Sequence, residues 1–285
     1  MKQNHPLTAE TKVIDEHGLM VFDNIHGMPV YYEPFITPYM TIALNIKGWV
    51  EAECDMQHLI FKKRDIAVLL ANHILYPLRA SDDYHAMLIV ISPGFQNELK
   101  RNFPLTYTNL QQFHYRQDIS LTEKQFETVL QVMRTIQTIS QTESTNRLEM
   151  LGNLLEVLFM LLKEYRIENG ISDYEMSTSD SLFVRFHKAI LEHYKESHEV
   201  KFYAAMFNLS PKHFSTTIKQ KTGIKALEWI NSYITTQAKM MLRKNTQMSI
   251  HDVGKELGFS DQATFSRYFR NNTGMSPKDF RAKYR

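Results

Sequence analysis

The chain has 285 residues, 43% of them hydrophobic and 22% charged, with a formal net charge of +2. That apolar content excludes a disordered chain, and the length suits two domains of ordinary size. A single cysteine, Cys54, excludes an internal disulfide framework and fits a reducing compartment.

The small net charge hides a division. Residues 182–285 hold eighteen Lys or Arg against eight Asp or Glu, a net +10, whereas residues 1–181 hold fifteen against twenty-three, a net −8. A basic surface releases counterions from phosphate, so the charge of the C-terminal part is the electrostatic signature of nucleic-acid binding. Residues 1–6 lack an apolar run, and no signal peptide is expected. The richest apolar stretch, 148–162, is too short for a membrane span and is interrupted by Glu149 and Glu156. A cytoplasmic protein without a membrane partner is the expectation.

Residues 1–115 read as β-rich. Residues 39–46 are apolar and β-branched, Lys47 and Gly48 suit a turn, and 49–55 alternate back. Two further runs, 57–61 and 66–70, flank a charged turn at 62–65. Residues 84–92 contain Met87, Leu88, Ile89, Val90 and Ile91, a buried strand stopped by Pro93 and Gly94. Short strands at this spacing predict a small β-barrel or a double-sheet jelly roll. Barrel mouths hold ligands, and Tyr31, Trp49, Tyr76 and His85 are the aromatic or amphipathic candidates for an effector pocket, although core packing would account for each one singly. His58, His73 and His85 are scattered, with no close His pair and no Glu in register, so neither metal nor cofactor is expected.

A helical segment, 116–170, follows. Residues 121–140 open on a capping box, with Ser120 or Thr122 ahead of Glu123, and carry Phe126, Leu130, Met133 and Ile136 on one face. In 147–166, Leu148, Leu151, Leu155, Leu158 and Leu162 alternate at spacings of three and four, a heptad seam under three repeats long. Such a seam serves either a homodimer or the helix's own domain. Leu154 and Leu161 form a second stripe able to serve the domain, which favours the dimer. Asn169 and Gly170 end the helix, and 171–181, rich in Ser, Thr and Asp, read as an interdomain linker.

Residues 182–285 contain one pattern twice. The first copy runs from Val200 to Ser210 and the second from Ile250 to Ser260. Each has a short helix with a small residue in the middle (Ala204, Gly254), a turn residue that accepts positive φ (Asn208, Gly258), an apolar residue and a serine N-cap. A second helix then presents Phe214 and Ile218, or Phe265 and Phe269, to a core, and stops at Gly223 or Gly274. This is a helix-turn-helix, repeated. Between the copies, Ala226, Trp229, Ile230, Tyr233, Ile234, Ala238, Met241 and Leu242 mark the buried stripe of a long connecting helix.

The segment 258–270, with Gly258-Phe259-Ser260 and Phe265-Ser266-Arg267, followed by Gly274-Met275-Ser276-Pro277 and Phe280-Arg281, resembles the DNA-binding domain of the AraC/XylS family of bacterial transcription regulators. The resemblance covers about residues 182–285. One departure is Gly254, where the family usually has alanine; glycine costs up to about 1 kcal/mol inside a helix. The resemblance implies two helix-turn-helix units on a rigid connector, with a cupin-like N-terminal sensor and RNA polymerase contact. A rigid connector would let two recognition helices enter successive major grooves about 34 Å apart.

With the core residues turned inward, Gln262, Ala263, Ser266, Arg267 and Arg270 of the second motif remain for DNA. In the first motif Lys212, His213, Ser215, Thr216 and Lys219 remain. Gln pairs with adenine and Arg with guanine, while Ala touches a thymine methyl, so Gln262, Ala263 and Arg267 are assigned to bases and Arg270 to phosphate. Lys212, His213 and Thr216 are the base-side candidates of the first motif, and Lys219 its phosphate contact. The fold expected is α+β: a β-barrel or jelly-roll sensor at 1–115, a helical dimerisation segment at 116–170, a linker at 171–181, and an all-α DNA-binding domain at 182–285. The function expected is a homodimeric, sequence-specific transcription regulator that answers a small-molecule effector. The rival is a cupin-type enzyme fused to a DNA-binding module, but no nucleophile motif, phosphate loop or paired metal ligands are found for it. A methyl-transferring repair protein would need more than one cysteine.

Overall fold

The computed structural model describes residues 13–23, 34–36, 38–103, 118–170, 178–244 and 247–283. The chain divides into two compact units, Met1–Tyr174 and Glu175–Arg285.

The first unit is built on two antiparallel sheets. One has the order β1 (Leu19–Phe22), β8 (His85–Ile91), β3 (Met40–Lys47), β6 (Asp65–Leu69), β9 (Asp118–Ser120). The other has the order β2 (Phe35–Ile36), β7 (Ile74–Ala80), β4 (Trp49–Cys54), β5 (Gln57–Lys62). Among the described residues the two sheets stay separate, so the double-sheet alternative holds and the closed barrel does not. The chain crosses from β3 in the first sheet to β4 in the second through a turn at Gly48, φ +67°.

Alternation along the strands sorts the side chains into two cores. Ala86, Leu88 and Val90 of β8 meet Val50, Ala52 and Phe61 of the second sheet. Met87, Ile89 and Ile91 point the other way, onto helices. A strand buried on both faces must be apolar throughout, which accounts for the uninterrupted run in β8.

The helices on that outer face are α1 (Pro93–Asn102), α2 (Glu123–Ser140) and α3 (Arg147–Glu168). Helix α2 starts with a capping box, but its acceptor is Gln125 at the third helical position, not Glu123. Gln125 N–H donates to Thr122 Oγ1 (3.3 Å), and the Gln125 amide oxygen accepts from Thr122 N–H (2.9 Å). The same Gln125 amide donates to Glu168, tying the start of α2 to the end of α3 (2.7 Å).

The leucine seam of α3 faces inward. Leu151, Leu155, Leu158 and Leu162 are fully buried against α2 and the first sheet, and Leu148 packs partly buried beside them. These five side chains therefore serve their own domain. A three-four stripe is the same whether it meets a partner helix or a neighbour in its own chain. The outward face of α3 instead carries Val157, Met160 and Ile167, which are 47%, 54% and 44% exposed.

The second unit is all helical: α4 (Thr178–His193), α5 (Val200–Met206), α6 (Pro211–Thr222), α7 (Ala226–Lys244), α8 (Ile250–Glu256), α9 (Gln262–Thr273) and α10 (Pro277–Lys283). Helix α4 begins inside the stretch read as linker, of which 171–177 lie outside the described residues. Ser, Thr and Asp favour helix starts as well as loops, so composition alone did not separate the two. Helix α7 is the connector, in contact with α5 and α6 of the first motif and with α8, α9 and α10 of the second. Its stripe of Ala226, Trp229, Ile230, Tyr233, Ile234, Ala238 and Leu242 is buried. No helix among the described residues is long and apolar enough to cross a membrane.

Candidate nucleic-acid interface

The two motifs repeat each other down to single hydrogen bonds. In the first, Asn208 takes φ +55°, and Leu209 N–H reaches back to Ala204 O (3.1 Å). In the second, Gly258 takes φ +82°, and Phe259 N–H reaches back to Gly254 O (3.0 Å). This six-to-one bond closes a left-handed helix C-terminus and redirects the chain into the next helix. At the far ends of α6 and α9, Gly223 N–H bonds Lys219 O and Gly274 N–H bonds Arg270 O, both at 2.8 Å. Thr222 and Thr273 then accept from Ile224 N–H and Met275 N–H.

The copies differ in the spacing after the turn. Phe214 follows Asn208 by six positions, but Phe265 follows Gly258 by seven. The extra residue moves the N-cap. Ser210 caps α6 by accepting from His213 N–H (3.3 Å), whereas α9 is capped by Asp261, not Ser260, through Thr264 N–H (2.8 Å). The bonds from Thr264 hold the Asp261 carboxyl below the usual carboxylate range.

Aromatic packing fixes each recognition helix to its support. Phe214 meets Phe186 edge-on at 4.9 Å and stacks on Phe207 at 5.7 Å. Phe265 and Phe269 are 5.9 Å apart, and Phe269 meets Phe280 of α10 at 5.5 Å. Trp229 of the connector donates its indole N–H to Thr222 Oγ1, the C-terminal turn of α6 (3.1 Å). Gly254 has a packing reason: a Cβ there would stand 2.9 Å from the Cβ of Phe265. Helices α8 and α9 cross too closely for alanine without movement.

A second strut, besides α7, joins the two motifs, and no local sequence pattern marked it. The segment after α4 lies against the turn of the second motif. Lys195 pairs with Glu256, and His198 Nε2 bonds Leu257 O (2.8 Å). The His198 ring packs on Phe259 at 4.4 Å and on Tyr268 at 5.8 Å. Gly258 approaches the backbone of Lys195 so closely that a Cβ would fall 1.9 Å from Lys195 O. Burial lowers the pKa of His198, against the opposing pull of the Leu257 and Tyr194 backbone groups. Burial likewise raises Tyr233 to about 12.

The residues assigned to DNA lie opposite these cores. Lys212, His213, Thr216 and Lys219 of α6 are exposed and Ser215 is half-buried; Gln262, Ala263, Arg267 and Arg270 of α9 are exposed and Ser266 is half-buried. Among the described residues Lys212, Lys219, Arg267 and Arg270 make no ion pair with an acidic group, so their charge is directed to solvent. The Thr216 hydroxyl donates to Lys212 O (2.8 Å) and keeps its acceptor lone pairs.

The effector candidates do not converge in the same way. Trp49 and Tyr76 lie on the face of the second sheet turned away from the intersheet core, since Val50 and Ala52 face that core and Tyr76 pairs with Glu53. Arg79 sits over the Trp49 ring at 5.6 Å and pairs with Glu51, which also holds His58 (2.6 Å). Arg79, then His58, hold the Glu51 carboxyl below its usual range. His85 belongs to the other sheet, with Nε2 on Asp23 O (2.7 Å). Tyr31 lies outside the described residues.

Residues 203–283 match the model of a family described as a helix-turn-helix domain. The arabinose operon regulatory protein of Salmonella typhimurium is 40% identical over 94 residues, 33% of this chain and 33% of that protein. The Msm operon regulatory protein of Streptococcus mutans is 30% identical over 139 residues, 48% of this chain and 49% of that protein. The matched region thus spans from a third to about half of these relatives. A solved structure of ToxT from Vibrio cholerae aligns with 94% of this chain and 99% of its own, at 13% identity and a TM-score of 0.48. Two turns closed by the same bond, a connector helix between them and the family match identify residues 203–283 as a helix-turn-helix domain, similar to those of the operon regulators.

Proposed function

We propose that this protein is a sequence-specific DNA-binding regulator of transcription, in which α6 and α9 read two successive major grooves. The observation that carries this reading is the pair of recognition helices. They are fixed by equivalent turns and present exposed polar and basic side chains from residues 182–285, a segment of net charge +10. Gln262, Ala263 and Arg267 suit base edges, as do Lys212, His213 and Thr216 in the first motif; Lys219 and Arg270 suit phosphates. Operon regulation by the similar proteins supports a role in transcription, with polymerase contact as its output.

The N-terminal unit is assigned to sensing and dimerisation. An effector would act by binding one presentation of the DNA-binding unit better than another. The buried seam of α3 leaves Val157, Met160 and Ile167 as the surface offered to a second copy of the chain. A cytoplasmic location and the absence of catalysis follow from this role.

Selection of randomised duplex DNA by the full-length protein tests the reading. It predicts an enriched motif with two blocks one helical turn apart and affinity that falls steeply with salt. Binding without any enriched sequence would refute it.

A further inference from the structure

The turn between β4 and β5 brings two adjacent donors, Cys54 and Asp55, up to a third, His73, eighteen positions on from Asp55. Strand β4 ends at Cys54, and the chain reverses through Asp55 and Met56, both in the left-handed region at φ 49° and 64°. Strand β7 begins at Ile74, just after His73. Two hydrogen bonds clip these segments: Asp55 N–H donates to Ile74 O, and Ile74 N–H donates to Asp55 Oδ1, both at 2.8 Å. His73 Nδ1 bonds the other carboxylate oxygen, Asp55 Oδ2. As a result one ligand atom each from Cys54, Asp55 and His73 lies within 4.8 Å of the others. The three residues are 1%, 4% and 3% exposed.

We propose that Cys54, Asp55 and His73 form a binding site for one divalent transition-metal ion of the zinc class. The donor set is thiolate, imidazole and carboxylate, the mixture that zinc accepts, with bonds of about 2.0–2.3 Å. Atoms bound to one tetrahedral ion stand roughly 3.3–3.8 Å apart, so the observed cluster closes by side-chain rotation of about 1 Å. The backbone clip already fixes the loops that carry the ligands. On binding, Cys54 releases its thiol proton to solvent, and the thiolate and carboxylate charges offset the ion's two positive charges. The bound ion would fasten the β4–β5 turn to the start of β7. It is independent of the DNA-binding reading.

Cobalt titration of the chelator-stripped, full-length protein tests this directly. The expected result is a one-to-one thiolate-to-cobalt charge-transfer absorption that zinc displaces, lost in Cys54→Ser and weakened roughly tenfold or more in His73→Ala. Absence of that band, or its survival in Cys54→Ser, overturns the proposal. A second measurement needs no variant. Cys54 is the sole cysteine, so zinc must slow its reaction with a thiol reagent at least tenfold, and an unchanged rate counts equally against the site.

Discussion

Gly258 and Gly274 have nearly the same backbone conformation, φ +82° and +79°, but different surroundings. Nothing lies within 4 Å of the place where a Gly274 Cβ would stand, whereas a Gly258 Cβ would meet Lys195 O at 1.9 Å. Gly274→Ala therefore bears only the left-handed penalty, about 1–2 kcal/mol. Gly258→Ala bears the same penalty plus a backbone collision, worth about 1–3 kcal/mol on the scale of overpacked sites, for a total of about 2–5 kcal/mol. The collision also pushes apart the strut that Lys195 and His198 make with the second motif. The chain has two tryptophans, Trp49 and Trp229, one in each unit. In a Trp49→Phe background, Trp229 fluorescence reports urea unfolding of the C-terminal unit alone, which avoids treating two units as one transition. Equal losses for the two alanine variants, within about 0.5 kcal/mol, would refute the reasoning, because the close approach to Lys195 would then be without energetic consequence.

The same fluorescence assay addresses pH. His198 has a folded-state pKa below its unfolded value near 6.5, so the unfolded chain binds more protons in the window below that value. Stability of the C-terminal unit should thus rise with pH through this window and fall on acidification. His198→Gln should flatten the dependence above pH ~5, where Asp252 and Asp261, both with lowered pKa, remain ionised; a variant with the parent's slope would remove His198 as the cause. Arg267→Ala should weaken binding to the selected DNA by about 1–3 kcal/mol and relax preference at one base position, whereas a uniform loss across sequences would make it a phosphate contact. In sedimentation, Met160→Asp should convert a dimer to a folded monomer. Leu155→Asp should instead unfold the N-terminal unit, since it buries a charge in the core under the first sheet; a folded Leu155→Asp monomer would return the interface to the leucine seam.

Much of this architecture depends on neighbours within one or two helical turns, and such information is local in sequence. The paired turns, the glycine stops at 223 and 274, the stripe of α7 and the doubly buried run of β8 were all legible for that reason. So was the exposed face of α9, because removing Phe265 and Phe269 to a core leaves Gln262, Arg267 and Arg270 on the remaining face. The cap of α9 was misplaced by one position because Ser260 and Asp261 are both good N-caps, and only the backbone path selects Asp261.

Tertiary structure decided what depends on distant partners. Periodicity defined the leucine seam of α3 but not which surface would cover it; α2 and the first sheet do so. Gly254 was read in the sequence both as the small residue of a close helix crossing and as a weak helix former, and the tertiary structure supplies the residue it crosses, Phe265 of α9. Cys54, Asp55 and His73 had no motif spacing, since the bonds that unite them span the β4–β5 turn and the entry to β7. The sequence by itself determined the elements and their amphipathic faces, because those follow from residues a few positions apart. Which faces meet, and which side chains converge, was decided by long-range packing, where shape and burial act between segments that the chain order keeps separate.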